Sequence, residues 1–280
     1  VRDVLAKAAR IIRYAIQEDR CRKDITTQRL IAPDLRVKAR LVYHQRAVVC
    51  GLGVVRAVYA ELDRRVKFMT LVKEGQEVGP GQTVAILRGP ARAILSGERV
   101  ALNFLQRLSG IATLTRRFVN KIKGYKAKIY DTRKTTPGLR VLEKYAVKVG
   151  GGQNHRMDLA SAMLVKDNHL RIVKDLQRLP RGGAFVEIEV QDPNQLERWT
   201  RLGVDIIMLD NMSVAEVAQA IQQIRKVTKG IEVEVSGNIN LRNVARYAAL
   251  GVDRISVGAL THSAPSIDIS IELQNVQERA

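Results

Sequence analysis

Six short apolar runs recur through the second half of the chain, each closing on a polar or small residue: KIYDT ending near 132, AMLVK near 166, FVEIEV near 190, VDIIMLD near 210, IEVEVS near 236 and RISVG near 258. Their ends lie roughly 20 to 35 residues apart, room for one strand, one helix and two loops. Runs that are apolar along their whole length suit parallel strands covered by helices. The intervening stretches carry helix punctuation. Asp192-Pro193 offers an N-cap with Pro at the first helical position, and Gly203 a stop. Ser213-Val214-Ala215-Glu216 is a capping-box sequence with Gly230 closing, and Asn240 and Gly251 frame a third helix. The pattern predicts at least three successive βα units.

The first half has a different rhythm. Apolar residues Leu5, Ala8, Ile12, Ala15 and Ile16 recur at helical spacing, predicting an amphipathic helix over 4–20, with a turn around Arg22 to Asp24. From about 36 to 95 the runs RVKARLVYH, AVVCGLGVV, VKFMTLV and TVAILRG read as strands. Residues 72–95 look like the hammerhead of lipoyl and biotinyl carrier domains. The matching tip, Leu87-Arg88-Gly89-Pro90, has no acceptor lysine, so a structural turn is expected. A helix is predicted from Ser96 to Gly124. The expected fold class is therefore α/β: an incomplete α/β barrel over 113–280 and a smaller β-rich α+β sandwich over 1–112, with a C-terminal tail free to return to the N-terminal domain.

Charge narrows the partners. The 280 residues hold 47 Lys+Arg against 28 Asp+Glu, a formal +19, which favours anionic ligands. Aromatic residues are only 4%, few rings for stacking bases, and the Lys and Arg are spread along all the chain rather than gathered on one tail, so no nucleic-acid partner is expected. No run approaches the ~20 apolar residues of a membrane span, so no membrane partner is expected either. Cys21 and Cys50 form no metal or disulfide framework, which suits a cytoplasmic location.

Reactive side chains at the carboxyl ends of barrel strands converge. The segment 131–169 supplies most of them, in the clusters Thr132-Arg133-Lys134, Asn154-His155-Arg156 and Lys166-Asp167-Asn168-His169. Arg133, Lys134, Arg156 and Lys166 suit a polyanion, Arg through paired hydrogen bonds and Lys as a point charge. Glu187 and Glu189 alternate on one strand and share a face, as do Glu232 and Glu234. Such acids could face ribose hydroxyls or pair with the barrel's own lysines. Ser236-Gly237-Asn238 and Val257-Gly258-Ala259 place small residues where barrel phosphate sites are often built.

Taken in order, EDRCRKDITT, GERVALNFLQRLSGIAT, TRKTTPG, NHR, KDNH, VEIEV, LDN, VSGNI and SVGALTHSAPSIDISIEL closely resemble the quinolinate phosphoribosyltransferase family over nearly the whole chain. The resemblance implies transfer of a phosphoribosyl group from phosphoribosyl pyrophosphate (PRPP) to quinolinate with decarboxylation, in de novo NAD biosynthesis. It implies a homodimer, or a higher oligomer built of dimers, in which the N-terminal domain helps close the neighbour's site. By that similarity Arg99 of the partner, Thr132, Arg133, His155, Arg156 and Lys166 would hold quinolinate. Lys134, Glu189, Asp210, Ser236, Gly237, Asn238, Gly258 and His262 would hold PRPP, with Lys134, Glu189 and Asp210 the catalytic residues. Mg²⁺ would accompany the pyrophosphate without a direct protein ligand, Glu189 and Asp210 reaching it through water.

The chain departs from the family pattern at three places. Arg22 or Lys23, and Asp158, stand where glycine is usual, and Asn238 replaces a second glycine after Ser236-Gly237. A related protein of molybdenum-transport clusters shares much of TRKTTPG but typically lacks an intact KDNH, which is intact here as Lys166 to His169.

Overall fold

The computed structural model describes residues 2–173, 177–179, 184–228 and 230–277, and divides into two compact units. Unit 1 comprises 1–114, 135–150 and 264–280; unit 2 comprises 115–134 and 151–263.

Unit 1 opens with the predicted amphipathic helix α1 (Arg2–Glu18), whose Ala8, Ile12 and Ile16 are buried. Asp24 caps the short helix α2 (Ile25–Leu30) by accepting from Thr27 N at 3.0 Å, and also accepts from Ser96 Oγ at 2.9 Å. Strand β1 (Arg36–Tyr43) turns Val37, Ala39, Leu41 and Tyr43 inward. The expected strand AVVCGLGVV is only the two-residue β2 (Ala47–Val48), followed by helix α3 (Leu52–Leu62). A long-range contact makes the difference. The buried end of Glu74 accepts from Gly51 N and Gly53 N at 3.0–3.4 Å and satisfies the helix's first donors, while Gly51 makes the entry turn at φ +112°. Strands β3 (Lys67–Thr70), β4 (Glu77–Val78) and β5 (Gln82–Pro90) follow, so the Arg88-Gly89-Pro90 tip is part of a paired strand. Helix α4 (Ala91–Lys121) starts five residues earlier than predicted, directly after Pro90, and α5 (Arg140–Val149) completes the helices of this unit.

Unit 2 is built on six parallel strands: β6 (Lys128–Tyr130), β7 (Met163–Val165), β8 (Val186–Val190), β9 (Ile206–Asp210), β10 (Glu232–Ser236) and β11 (Arg254–Ser256). Their order is β6-β11-β10-β9-β8-β7. The first strand thus pairs with the last, as in a barrel, but among the described residues no pairing joins β6 to β7, and Gln153 makes only a single bridge to Tyr130. This is an incomplete α/β barrel. Helices α6 (Asp167–Ile172), α7 (Leu196–Arg201), α8 (Val214–Val227), α9 (Val244–Ala248) and α10 (Ala259–His262) follow β7 to β11 in turn. The predicted punctuation is present: Asp192 accepts from Asn194 N, and Ser213 and Glu216 form a reciprocal capping box. Helix α8 stops at Val227, before Gly230, and α9 is shorter than the Asn240–Gly251 frame.

Register decides what faces inward. Glu189 lies opposite Met208, and Asp210 opposite Ser236, so their side chains share one face of the sheet with Glu187 and Glu234. The alternate residues Ile188, Val190, Ile207, Leu209, Val233, Val235 and Ile255 are buried on the other face. One surface of the sheet is therefore apolar and the other carries chemistry.

The last strand, β12 (Ile269–Gln277), belongs to unit 1 and pairs antiparallel with β1 from Tyr43↔Ile269 to Arg36↔Gln277. It completes a four-stranded sheet in the order β12-β1-β5-β3, with Arg40 and Glu272 joined across the pair at 2.7 Å. Tyr43 and Ser109 share a buried 2.8 Å hydrogen bond beneath it, and Cys21 and Cys50 are both free and buried in this unit.

Candidate active site

At the carboxyl ends of the unit 2 strands lies a cavity of about 600 Å³, in the size range of small-molecule sites. Its lining includes Thr132, Arg133 and Lys134 after β6, His155 and Arg156 before β7, Lys166 after it, Glu189 and Asp210 ending β8 and β9, Ser236 to Ile239 after β10, and Gly258 and His262 after β11. Thirteen of the fourteen residues expected to contact substrate are thus brought together: Thr132, Arg133, Lys134, His155, Arg156, Lys166, Glu189, Asp210, Ser236, Gly237, Asn238, Gly258 and His262. Arg99 is the other. It sits exposed on α4 in unit 1 and does not line this cavity.

Buried acids anchor the cationic side. Asp131, fully buried at the end of β6, accepts from Asn154 Nδ2 at 2.5 Å and His155 N at 2.9 Å, pinning the NHR loop against the strand that leads to Arg133. Arg156 donates through a guanidinium nitrogen to Ala162 O at 3.0 Å. Burial, with the Arg133 guanidinium close by, pulls its pKa below the usual arginine value, while Glu187 opposes the shift. Two arginines held this close make a place that an anion with paired carboxylates would relieve. Asp158, in place of the usual glycine, accepts from Ala160 N, Ser161 N and Ser161 Oγ, so its side chain closes the exposed turn beside Arg156.

Lys166 Nζ reaches Glu189 Oε2 at 2.6 Å. His169, an alternative candidate in the same motif, accepts from Lys166 N at 2.9 Å through Nδ1, which is a role at the start of α6 rather than in the cavity. Lys134 is exposed to the cavity, its carbonyl accepting from Thr261 Oγ1 at 2.7 Å.

On the acidic side, Asp210 Oδ2 accepts from Asn211 Nδ2 at 2.7 Å, and Asn211 N donates to Ser236 O at 2.9 Å. Asn211 has a left-handed backbone (φ +59°), as have Gly237 (+92°) and Asn238 (+53°). Asn238 therefore adopts the conformation that a glycine would, and its amide donates to Asn211 Oδ1 at 3.2 Å. At Gly237 an added Cβ would lie 2.2 Å from Asn211 Oδ1, so only glycine fits. The LDN motif pointed to this segment, but the contacts from Asn211 to both Asp210 and Asn238 are tertiary facts.

Behind the cavity wall, sequence reading left one cluster unassembled. His155 is buried, with Nε2 2.9 Å from Glu187 Oε2 and 3.7 Å from Glu234 Oε1. Burial drives both carboxyls up to about 8; for Glu187 the cations Arg254, Arg156 and Lys166 resist this, and for Glu234 the neighbouring Glu187 adds to it. The alternation of Glu187 with Glu189 signalled a shared inward face, but nothing local signalled the histidine between two acids.

A family model for the quinolinate phosphoribosyl transferase N-terminal domain matches residues 24–109, and one for the C-terminal domain of the same family matches 111–272. The chain is 40% identical, over 92% of its length and 90% of the relative's, to a probable nicotinate-nucleotide pyrophosphorylase (carboxylating) of Synechocystis sp.. It is 40% identical to the nicotinate-nucleotide pyrophosphorylase (carboxylating) of Mycobacterium leprae, covering 94% and 95% of the two chains. Among solved structures, NadC from Streptococcus pyogenes superposes with a TM-score of 0.89 at 37% identity, covering 97% of this chain and 98% of that one.

Proposed function

As the chain belongs to the quinolinate phosphoribosyltransferase family, we propose that its barrel cavity binds quinolinate beside PRPP and joins them, yielding nicotinate mononucleotide, pyrophosphate and CO₂. The observation that carries this reading is one cavity whose lining holds charges of both signs: the cations Arg133, Arg156 and Lys166 and the acids Glu189 and Asp210. A pyridine dicarboxylate needs the first set and a ribose passing through a cationic transition state needs the second.

In this reading the pyridine nitrogen attacks the anomeric carbon, the bond to pyrophosphate breaks, and the 2-carboxylate then leaves as CO₂, its bonding electron pair staying on C2 beside the cationic nitrogen and taking up a proton from water. Arg133 and Arg156 hold the carboxylates, with Thr132, His155 and Lys166 around them. Lys134 stands beside PRPP and withdraws charge from the departing phosphates. Glu189 and Asp210 hold the ribose hydroxyls and favour the positive charge on the ring, and Ser236, Gly237, Asn238, Gly258 and His262 surround the 5′-phosphate. Catalysis is then positioning plus electrostatics, with no covalent enzyme intermediate. The carboxylate oxygens of Glu189 and Asp210 suit a hard cation reached through water. Mg²⁺ bound with the pyrophosphate would neutralise the leaving group. A homodimer in which the partner's copy of Arg99 completes the carboxylate site, working in a reducing cytoplasm, belongs to the same proposal.

The test is incubation of the full chain with quinolinate, PRPP and Mg²⁺, following nicotinate mononucleotide, pyrophosphate and CO₂ in equal amounts. Product from another pyridine or base, with none from quinolinate, would overturn the substrate assignment.

A further inference from the structure

Glu187 and Glu234 lie outside the cavity lining, and the mechanism above uses neither. They sit fully buried on β8 and β10, two residues before Glu189 and Ser236 on the same inward face. Buried carboxylates with few hydrogen bonds are costly and call for a reason. Glu234 Oε1 accepts from Ser256 Oγ. Both oxygens of Glu187 and Oε2 of Glu234 accept no well-aligned hydrogen bond among the described residues.

With His155 the two acids form a trio whose ligating atoms lie within 4.8 Å of one another, a spacing that would suit a divalent metal. The ring's own hydrogen bond argues against that. Arg156 N donates to His155 Nδ1 at 2.8 Å, so Nδ1 carries a lone pair and the proton of the neutral ring is on Nε2. A metal on Nε2 would move that proton to Nδ1, where it would face the Arg156 N–H donor against donor. The Nε2–H instead faces Glu187 and Glu234 at 2.9 and 3.7 Å, in a bent, electrostatic contact. The other charged groups around the trio are Arg156 on the same loop, Lys166 after β7, Glu189 on β8 and Arg254 on β11.

We propose that Glu187 and Glu234 are positioning residues for the pyridine-carboxylate side of the site. Their oxygens face Nε2 as acceptors and keep the His155 proton there, which leaves Nδ1 to take the Arg156 N–H and fixes the backbone that presents the Arg156 guanidinium. Arg156 is then held at both ends, by this bond and by the bond to Ala162 O. The acids thus act through two intermediaries and touch no substrate. The inference rests on the reading that quinolinate is the substrate, and its tests keep the two apart.

The kinetic test compares wild type, Glu187→Ala and Glu187→Gln. Glu187→Ala is expected to raise the quinolinate KM about tenfold or more while the PRPP KM stays within about twofold, and Glu187→Gln, whose amide oxygen can still face Nε2–H, to recover most of that loss. Equal rises in both KM values, or no rise in either, would overturn the assignment. Should Glu187→Ala fail to fold, nitrogen NMR of labelled histidine in wild type and Glu234→Val, which offers Nε2–H no acceptor oxygen, reads the ring directly. A neutral His155 protonated on Nε2 is expected in wild type, with the Nδ1–H form gaining population in the variant. A wild-type ring protonated on Nδ1 would overturn the proposal. That measurement uses no substrate, so failure of wild type to turn over quinolinate would remove the functional reading and leave the positioning claim to be judged by the NMR result.

Discussion

Lys166 Nζ and Glu189 Oε2 are 2.6 Å apart, an ion pair between a half-exposed cation and a buried carboxylate that joins the ends of β7 and β8. The cation assigned to the pyridine carboxylates therefore also neutralises the acid assigned to the ribose. Lys166→Ala removes a charge-assisted bond and leaves a buried charge, so kcat/KM is expected to fall by ~1.5–3 kcal/mol. Steady-state kinetics should show both a higher quinolinate KM and a lower kcat. A change in quinolinate KM alone would mean that the pair does not matter to the ribose step.

Neighbouring cations should separate by role. Arg133→Ala is expected mainly to raise the quinolinate KM, and Lys134→Ala mainly to lower kcat, each by ~1.5–3 kcal/mol. Near-wild-type turnover in both would remove these assignments.

Gly237→Ala would place a Cβ 2.2 Å from Asn211 Oδ1 on a backbone at φ +92°. Asn211 must move, and with it the hydrogen bond to Asp210. The PRPP KM or kcat should suffer about tenfold or more, and Tm should fall as well, because the added Cβ would also lie 2.8 Å from the backbone nitrogen of Asn211 and the positive φ disfavours alanine. Asn238→Gly, by contrast, keeps the left-handed backbone and should stay within about threefold of wild type.

Stability should fall with pH because of the buried acids. Glu187 and Glu234 have an ordinary pKa of 4.5 and are pushed up to about 8 by burial. Between those values the unfolded chain has released protons that the folded chain keeps, so their contribution declines as pH rises through the window and is flat above it. Glu234→Gln removes one titrating group. Urea denaturation should show the variant gaining on wild type from pH 6 to pH 9, and parallel curves would count against the shift.

Gly110 in α4 packs on the turn before β12, where an added Cβ would lie 2.0 Å from Pro265 O. Because the obstacle is backbone, Gly110→Ala should cost about 3 kcal/mol or more. Thermal denaturation measures it.

The barrel was legible because its signal is local. Six apolar runs at regular spacing, and caps such as Asp192 and the Ser213–Glu216 box, are written within a few residues of where they act. The location of the candidate site was legible for the same reason, since a residue at a strand's carboxyl end is carried to the mouth of a barrel by any parallel pairing. The segment 47–55 was not. Its β-branched residues read as a strand, and Glu74, over twenty residues away, turns part of it into a helix by capping Gly51 and Gly53. Nor was the direction of His155 legible, because its two acids come from β8 and β10 and meet only when both strands are in register.

Periodicity and composition by themselves determined the α/β class, the carboxyl-end location of the chemistry and its double charge, since those depend on spacing along the chain. Tertiary structure alone decided that β12 returns to pair with β1, that Lys166 meets Glu189, and that His155 faces inward. Each of those joins residues from separate elements, and such contacts follow from sheet register and burial, which no local pattern encodes.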